Sequence, residues 1–396
     1  MKRKTLIALI IMISLVLTAE FLFLGYMHFR GDTNQPALSD QTQPTDSPTD
    51  PTESEIPTTD ATDATEATEV TEAPTQPTET EPPETEPQPE RFLLTFAGDC
   101  TFGGTPARVN ADTGFLKVVG DNFDYPFQNV RQYFESDDYS LINLEQVLGD
   151  EGYVQDKKWT FRGPAKYTEV MTGSSVEGVT IANNHSSDFG NAGYEETKRI
   201  LSEAGIDYVE SYSAITVVTD SELVIGIYAV DASLNAMDKN KMVDGITQLK
   251  ESGVDIVIAA FHWGYENQFQ ANAQQKEWGK AAIDAGALIV WGNHPHVLQP
   301  IEEYNGGIIY YSLGNFAFGG NSVPKDHDTA LLQQEVIREP DGTVRLGELT
   351  IVPCSVSSIK ERNNFQPTPY EEGSEEYQRV LAKLDGSYGG PNLPIG

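Results

Sequence analysis

From Arg91 onward the chain reads as an α/β domain, and three observations predict that class. Apolar runs of strand length alternate with amphipathic stretches of helix length. One run, Asp255 to Phe261, is almost unbroken in its apolar character, as in a strand covered on both faces. Glycines stand where helical periodicity stops, at Gly205, Gly253 and Gly286. A stretch of about 300 residues is enough for a sizeable core.

The elements run in order along the chain. Phe92–Phe96 is a strand, Tyr139–Leu144 a second, and the apolar run Val179–Ala182 a third. Ala192–Ala204 is a helix with Tyr194, Thr197, Ile200, Leu201 and Ala204 on one face. Leu223–Val230 is a strand, Lys241–Ser252 a helix, and Asp255–Phe261 the buried strand. Ala273–Ala285 is the next helix and Ala287–Trp291 the strand after it. From Ile301 the pattern turns antiparallel, with Tyr304-Asn305-Gly306-Gly307 and Glu339-Pro340-Asp341-Gly342 each joining two strands. The domain runs over 91–370. A C-terminal extension, 371–396, carries a helix near Glu375–Leu384 and no assigned function.

Two segments precede the domain. Lys2, Arg3 and Lys4 stand before an apolar run, Leu6 to Ala19, which resumes after Glu20 and reaches Met27. That length approaches the ~20 residues of a membrane-spanning helix. The basic start places the N-terminus in the cytoplasm and the body outside. Residues 1–30 are therefore expected to be a single-pass anchor at the cell membrane rather than a cleaved signal. Residues 31–90 are rich in Pro, Thr and Glu and hold no Lys or Arg. Such a segment buries no core and is expected to be a disordered spacer, reaching on the order of 190 Å at ~3.1 Å per residue.

The net charge is −34. An acidic body argues against nucleic acid as a partner, because phosphate binding needs clustered cations. Cys100 and Cys354 are too few for a disulfide scaffold, and the sequence leaves open whether they pair. There is no Walker loop, no dinucleotide glycine fingerprint and no Gly-x-Ser-x-Gly elbow.

The chemistry lies at the ends of the apolar runs. The first strand leads to Asp99. The second contains Asn143 and ends in Glu145. The third ends in Asn183-Asn184-His185, with Asp188 close behind. The fourth ends in His262, with Glu266 beyond, and the fifth in Gly292-Asn293-His294-Pro295-His296. Four of the six histidines sit at these strand ends. One buried imidazole is usually a satisfied core residue, but independent core histidines would not sort in this way. In open α/β sheets ligands collect beyond the carboxyl ends of strands. Imidazoles and carboxylates without a thiolate pair suit Mn, Zn or Fe. In an extended segment His294 and His296 would face one side and serve one centre or two adjacent ones.

The series Phe96-Ala97-Gly98-Asp99, Asn143-Leu144-Glu145, Ala182 to Gly190, His262 to Glu266, Gly292 to Pro300 and Tyr311 to Phe316 resembles the bacterial capsule synthesis family, which includes the CapA-type proteins of poly-γ-glutamate synthesis. The match runs in order from Arg91 to Pro353. The resemblance implies the calcineurin-like metallophosphoesterase fold, two packed sheets flanked by helices. It implies one or two divalent transition-metal ions held by Asp99, Glu145, Asn184, His262, His294 and His296. His185, oriented by Asp188 or the backbone, would donate a proton to the leaving group. Asn143, Glu266, Asn315 and Arg162 are candidate substrate-binding residues. The superfamily's first motif is Asp-x-His, and the third position here is Thr101, so a full two-metal centre is one ligand short. Expected partners are an anionic envelope polymer, poly-γ-glutamate above all, and other membrane subunits of a polymer synthase. Lys157, Lys158 and Arg162 form the one obvious basic patch. Two alternatives stand beside a hydrolase: a non-catalytic assembly or polymer-binding subunit, and a general extracellular metallophosphoesterase.

Overall fold

The structure is a computed structural model, and it describes residues 87–234 and 236–394. The expected anchor and nearly all of the expected spacer lie outside those residues. Among the described residues no helix is long and apolar enough to cross a membrane.

The strands are β1 (Glu90–Thr101), β2 (Tyr139–Leu144), β3 (Val147–Leu148), β4 (Arg162–Gly163), β5 (Gly178–Thr180), β6 (Asp207–Val209), β7 (Ser213–Val218) and β8 (Val224–Ala232). They continue as β9 (Ile256–Trp263), β10 (Ile289–Asn293), β11 (Leu298–Tyr304), β12 (Gly307–Leu313), β13 (Asn315–Phe318), β14 (Asp328–Arg338), β15 (Val344–Ser355) and β16 (Thr368–Pro369). One large sheet has the order β16-β15-β14-β1-β2-β5-β6, with β13 also paired to β1; a second has the order β11-β12-β10-β9-β8-β7, and β3 and β4 form a separate two-stranded sheet. In the first sheet β1, β2, β5 and β6 run parallel. In the second, β8, β9, β10 and β12 do. The expected antiparallel turn after Ile301 holds for β11 with β12 and β14 with β15, but β12 itself returns parallel to β10.

Alternate residues of the strands build three apolar layers. Phe92, Leu94, Phe96, Leu141, Ile225, Ile227, Ile256, Ile258, Ile289 and Trp291 pack between the two sheets. The outer face of the first sheet is covered through Ile142, Leu144, Val179 and Leu201, the last on the helix Gly190–Glu203. The outer face of the second is covered by Met242, Ile246 and Leu249 from the helix Lys239–Glu251 and by Trp278 and Ala282 from the helix Ala273–Asp284. Covering both faces explains why β9 reads as an unbroken apolar run, since all eight of its residues are buried.

Local chemistry sets the element ends. Asn272 and Gln275 form a reciprocal capping box at the start of the helix Ala273–Asp284. The expected stops Gly205, Gly253 and Gly286 have φ of 70°, 87° and 115°, a region that costs glycine little. Asn305 and Gly306, at φ 49° and 83°, make the two-residue hairpin turn between β11 and β12.

The C-terminal helix Glu375–Leu384 is part of the core. Val380 and Leu384 join the layer between the sheets. Lys383 is 2% exposed and pairs with Asp326 and Asp328, each at 2.7 Å. Arg379 also reaches Asp328, at 2.7 Å. Cys100 and Cys354 are both buried and free, and burial pushes both thiols up.

Candidate metal centre

The layer between the sheets changes character over one pleat. Along β2 the inward row runs Leu141 to Asn143, along β9 Ala260 to His262, and along β10 Trp291 to Asn293. Trp291 staples the sheets just below this point by donating from Nε1 to the Ala97 carbonyl at 3.2 Å. The parallel strands of both sheets deliver their carboxyl ends here.

Two groups of side chains share Glu145. One is Glu145, His262 and His294; the other is Asp99, Glu145 and His296, with ligand atoms within 4.8 Å of one another in each. In the first, His262 Nε2 lies 2.8 Å from Asn184 Oδ1, 3.1 Å from His294 Nδ1 and 3.6 Å from Glu145 Oε1. In the second, His296 Nδ1 lies 3.1 Å from Asp99 Oδ2, and His296 Nε2 lies 3.8 Å from Glu145 Oε1. The structure thus brings together all six residues expected to hold metal.

The way it does so differs from expectation at one place. His294-Pro295-His296 is not extended. His294 and His296 have φ of 98° and 57°, left-handed values that are strained for a residue with a Cβ. The backbone turns between them, so each ring enters a different group; their centroids are 5.9 Å apart.

Buried carboxylate oxygens without a hydrogen bond test whether these residues fit a cation. Asp99 Oδ2 and both Glu145 oxygens have no hydrogen bond, and both residues are fully buried. A buried carboxylate in that condition is costly unless a cation joins it. Burial pushes the Glu145 carboxyl well above the usual carboxylate range; His296 opposes the rise and Asp99 adds to it. His262 is held well below an ordinary imidazole by burial and by His294, His296 and His185. His294 is pushed down to about 3 by burial, then by His296 and His185. Both rings are thus neutral and present lone pairs, as ligation requires. His296 goes up to about 10: burial opposes this, but Glu145 and Asp99 outweigh it. The two carboxylates hold a proton on His296, and a divalent cation would supply that positive charge instead. The residues fit a metal.

Carboxamides tie the groups together. Asn143 is fully buried and donates from Nδ2 to Asp99 Oδ1 at 2.8 Å, and the same nitrogen lies 3.3 Å from His262 Nδ1. Asn183 donates to Asn143 Oδ1 at 3.1 Å and to the Leu144 carbonyl at 2.9 Å, while its own Oδ1 accepts from the His185 amide at 3.1 Å. Asn143 is therefore a positioning residue, out of reach of a substrate. Thr101 donates its hydroxyl to the Glu145 carbonyl at 3.0 Å, so it fixes the Glu145 backbone.

His185 stands at the rim, and Asp188 orients it. Its Nδ1 donates to Asp188 Oδ2 at 2.7 Å, and Nε2 points toward Glu145 Oε1 at 3.8 Å. Asp188 is fully buried and also accepts from the Phe161 amide at 2.7 Å and from Lys157. Burial lowers the His185 imidazole, with Asp188 opposing.

A cleft of about 290 Å³ opens over His185 and His296. Glu266 and Asn315 line it, with Trp159, Phe161 and Phe318. Phe161 lies 4.4 Å from the His185 ring, centroid to centroid, so this aromatic both packs and lines the groove. Arg162 is not brought there. Its guanidinium binds the Asp150 and Glu151 carbonyls and stacks 3.6 Å from the Phe189 ring, in a neighbouring cleft. The cations that do line the site cleft are Arg108 and Lys325, which strand-end reasoning missed because both lie on loops away from the motifs.

Comparison with known proteins agrees with this frame. The model of the bacterial capsule synthesis protein family, PGA_cap, matches residues 93–320. The chain belongs to that family. It is 28% identical to the capsule biosynthesis protein CapA of Bacillus anthracis over 309 residues, spanning 71% of this chain and 71% of the relative. It is 29% identical to the PGA biosynthesis protein CapA of Bacillus subtilis (strain 168) over 316 residues, spanning 74% and 80%. Among solved structures, Haemophilus influenzae NAD nucleotidase aligns with 13% identity and a TM-score of 0.38, over 76% of this chain and 63% of that one. Purple acid phosphatase PPD1 from yellow lupin aligns with 11% identity and a TM-score of 0.30, over 66% and 53%. Neither likeness carries weight at those scores.

Proposed function

We propose that this protein acts in capsule or poly-γ-glutamate biosynthesis from the outer face of the cell membrane, through a metal-dependent, hydrolase-like site on a calcineurin-like fold. Membership of the capsule synthesis family and the names of the CapA relatives support the pathway. One observation carries the chemistry: Glu145 stands between two buried groups of ligand atoms with neither carboxylate oxygen satisfied. Asp99, Glu145, Asn184, His262, His294 and His296 would hold Mn, Zn or Fe. When bound, such an ion polarises the substrate and lowers the pKa of water.

The chain's own residues supply the rest. Asp188 holds His185 with Nδ1–H inward, which leaves Nε2 as the atom that carries a proton to or from the leaving group. Phe161 packs against the His185 ring, 4.4 Å between centroids, and holds it in place at the cleft. Arg108 and Lys325 at the cleft offer charge to an anionic chain, the role that falls away from Arg162.

Elemental analysis of the purified full chain tests this reading. Bound Mn, Zn or Fe is expected, falling on His262→Ala; metal-free protein would sink it. The second reading, a non-catalytic assembly subunit, draws on Thr101, which offers its hydroxyl to a backbone carbonyl rather than a donor to the site. Complementation separates the two. In cells lacking the protein, His262→Ala fails to restore surface polymer if the site does chemistry and restores it if the site is only a scaffold.

A further inference from the structure

The two ligand groups are unequal. Glu145, Asn184, His262 and His294 offer four donors on one side, and Asp99, Glu145 and His296 offer three on the other. A transition-metal site with N and O donors has at least four positions, so three protein donors leave one or more for a further ligand, protein or water. Thr101, two residues beyond Asp99 on the same strand, does not make up the number, because its hydroxyl is turned to the Glu145 carbonyl.

The neighbouring strand does. β13 lies parallel to β1, and Asn315 sits directly opposite Asp99. Asn315 Oδ1 lies 2.9 Å from His296 Nδ1, and that nitrogen lies 3.1 Å from Asp99 Oδ2. One Nδ1–H cannot satisfy both oxygens, and Asp99 Oδ2 has no hydrogen bond. Donors about 2.1 Å from one ion stand about 3.0–3.5 Å apart, so these spacings suit three ligands of a shared centre. The other group has the same signature: Asn184 Oδ1 is 2.8 Å from His262 Nε2. The amide is also oriented. Asn315 Nδ2 faces the His296 carbonyl at 3.4 Å, which turns Oδ1 toward the ring and the carboxylate.

We infer that Asn315 is a metal ligand, its carboxamide oxygen completing a second divalent-metal site with Asp99, Glu145 and His296. This rests on the reading that the cluster holds metal. It makes the centre a pair of similar halves around Glu145, each with one carboxamide. It also moves Asn315 from substrate contact to ion binding.

Manganese loading of the full chain tests it, with metal counted by elemental analysis and the pair read by electron paramagnetic resonance. Wild type is expected to hold about two ions per chain with an exchange-coupled spectrum, and Asn315→Ala about one with an isolated-ion spectrum. Asn315→Asp keeps an oxygen donor and retains about two. Should the alanine variant fail to fold by circular dichroism, Asn315→Leu, close to the amide in size but without an oxygen donor, takes its place with about one ion expected; two ions in it, or a fall to one in Asn315→Asp, overturns the inference. Two ions in folded Asn315→Ala, or one ion in both it and wild type, overturns the assignment and leaves the metal reading standing. No ion in wild type removes both.

Discussion

Replacing Lys383 by Met should destabilise the domain by about 3 kcal/mol, toward the lower end of the ~3–5 kcal/mol for removing one partner of a buried ion pair. The lower end follows from the contacts. Lys383 Nζ holds both oxygens of Asp326, at 2.8 and 2.7 Å, and one of Asp328, at 2.7 Å. Asp328 keeps two bonds to Arg379 and one to the Tyr370 hydroxyl after the change. Asp326, only 11% exposed at its side chain, loses its cation. The methionine stem still packs near the Phe269 and Tyr388 rings. At about 2–4 °C per kcal/mol, thermal unfolding should fall by roughly 6–12 °C. The sign with pH is fixed by the same contacts. Burial raises the Asp326 carboxyl even with Lys383 opposing, so without the lysine it rises further. A group whose folded pKa is raised loses stability as pH climbs through that value, so the penalty should shrink from pH 7 toward pH 4.5. Asp328 works the other way in wild type: burial raises it, but Arg379 and Lys383 outweigh this and hold it below the usual range, so its contribution is lost as pH falls through the folded value. Asp326→Asn in the Lys383→Met background should recover most of the loss. A pH-independent penalty, or no recovery in the double variant, would refute the account.

Two further changes probe the site's frame. A Cβ on Gly98 would lie 2.0 Å from the Gly314 carbonyl oxygen and 3.0 Å from its carbon. Both atoms are backbone and cannot rotate aside, so Gly98→Ala should cost about 3 kcal/mol, seen as a lowered unfolding midpoint; an unchanged midpoint would show that β1 and the turn before β13 can part freely. Asp188→Asn should leave metal content intact but shift the proton on His185 from Nδ1, visible in nitrogen NMR of the ring, and cut any hydrolytic turnover about 10²–10⁴-fold. A ring that keeps the Nδ1–H form in that variant would show that Asp188 does not set it.

Much of this was legible because strands announce both their span and their mouth. β2 runs over Tyr139–Leu144 as read, and β9 and β10 fall within two residues of their expected bounds. Each apolar run also ended in the residue that enters the centre. β1 is longer than its apolar run, Glu90–Thr101 against Phe92–Phe96, because Gly98 and Asp99 have the composition of a turn. They remain in the strand since Asp99 donates its amide to the Gly314 carbonyl at 2.9 Å, a partner supplied by a turn more than two hundred residues away. The role of Asn143 is hidden for a similar reason, since it is fully buried and hydrogen-bonded to Asp99. A carboxamide at a strand end can face solvent or the interior, and only the opposite sheet decides which. Lys383 was unreadable, since a lysine near the end of an amphipathic helix is ordinarily solvated, and its burial depends on Asp326 and Asp328 in another segment.

Glu145 gives the centre its logic. A carboxylate with neither oxygen hydrogen-bonded, at zero exposure, contributes nothing to folding and costs several kcal/mol as an isolated ion. Its backbone is nevertheless fixed twice, by Thr101 at its carbonyl and by the Cys100 carbonyl at its amide, 2.8 Å away. Asn143 and Asn183 then fix the groups on either side of it. A fold that merely tolerated a buried acid would let it relax toward a donor. Here Asn143 is committed to Asp99 and Thr101 to the Glu145 backbone, and the side chains that face the carboxylate are His262 at 3.6 Å and His185 and His296 at 3.8 Å. The arrangement withholds hydrogen bonds from those two oxygens and surrounds them with imidazoles, the setting that a carboxylate shared between two cations would need.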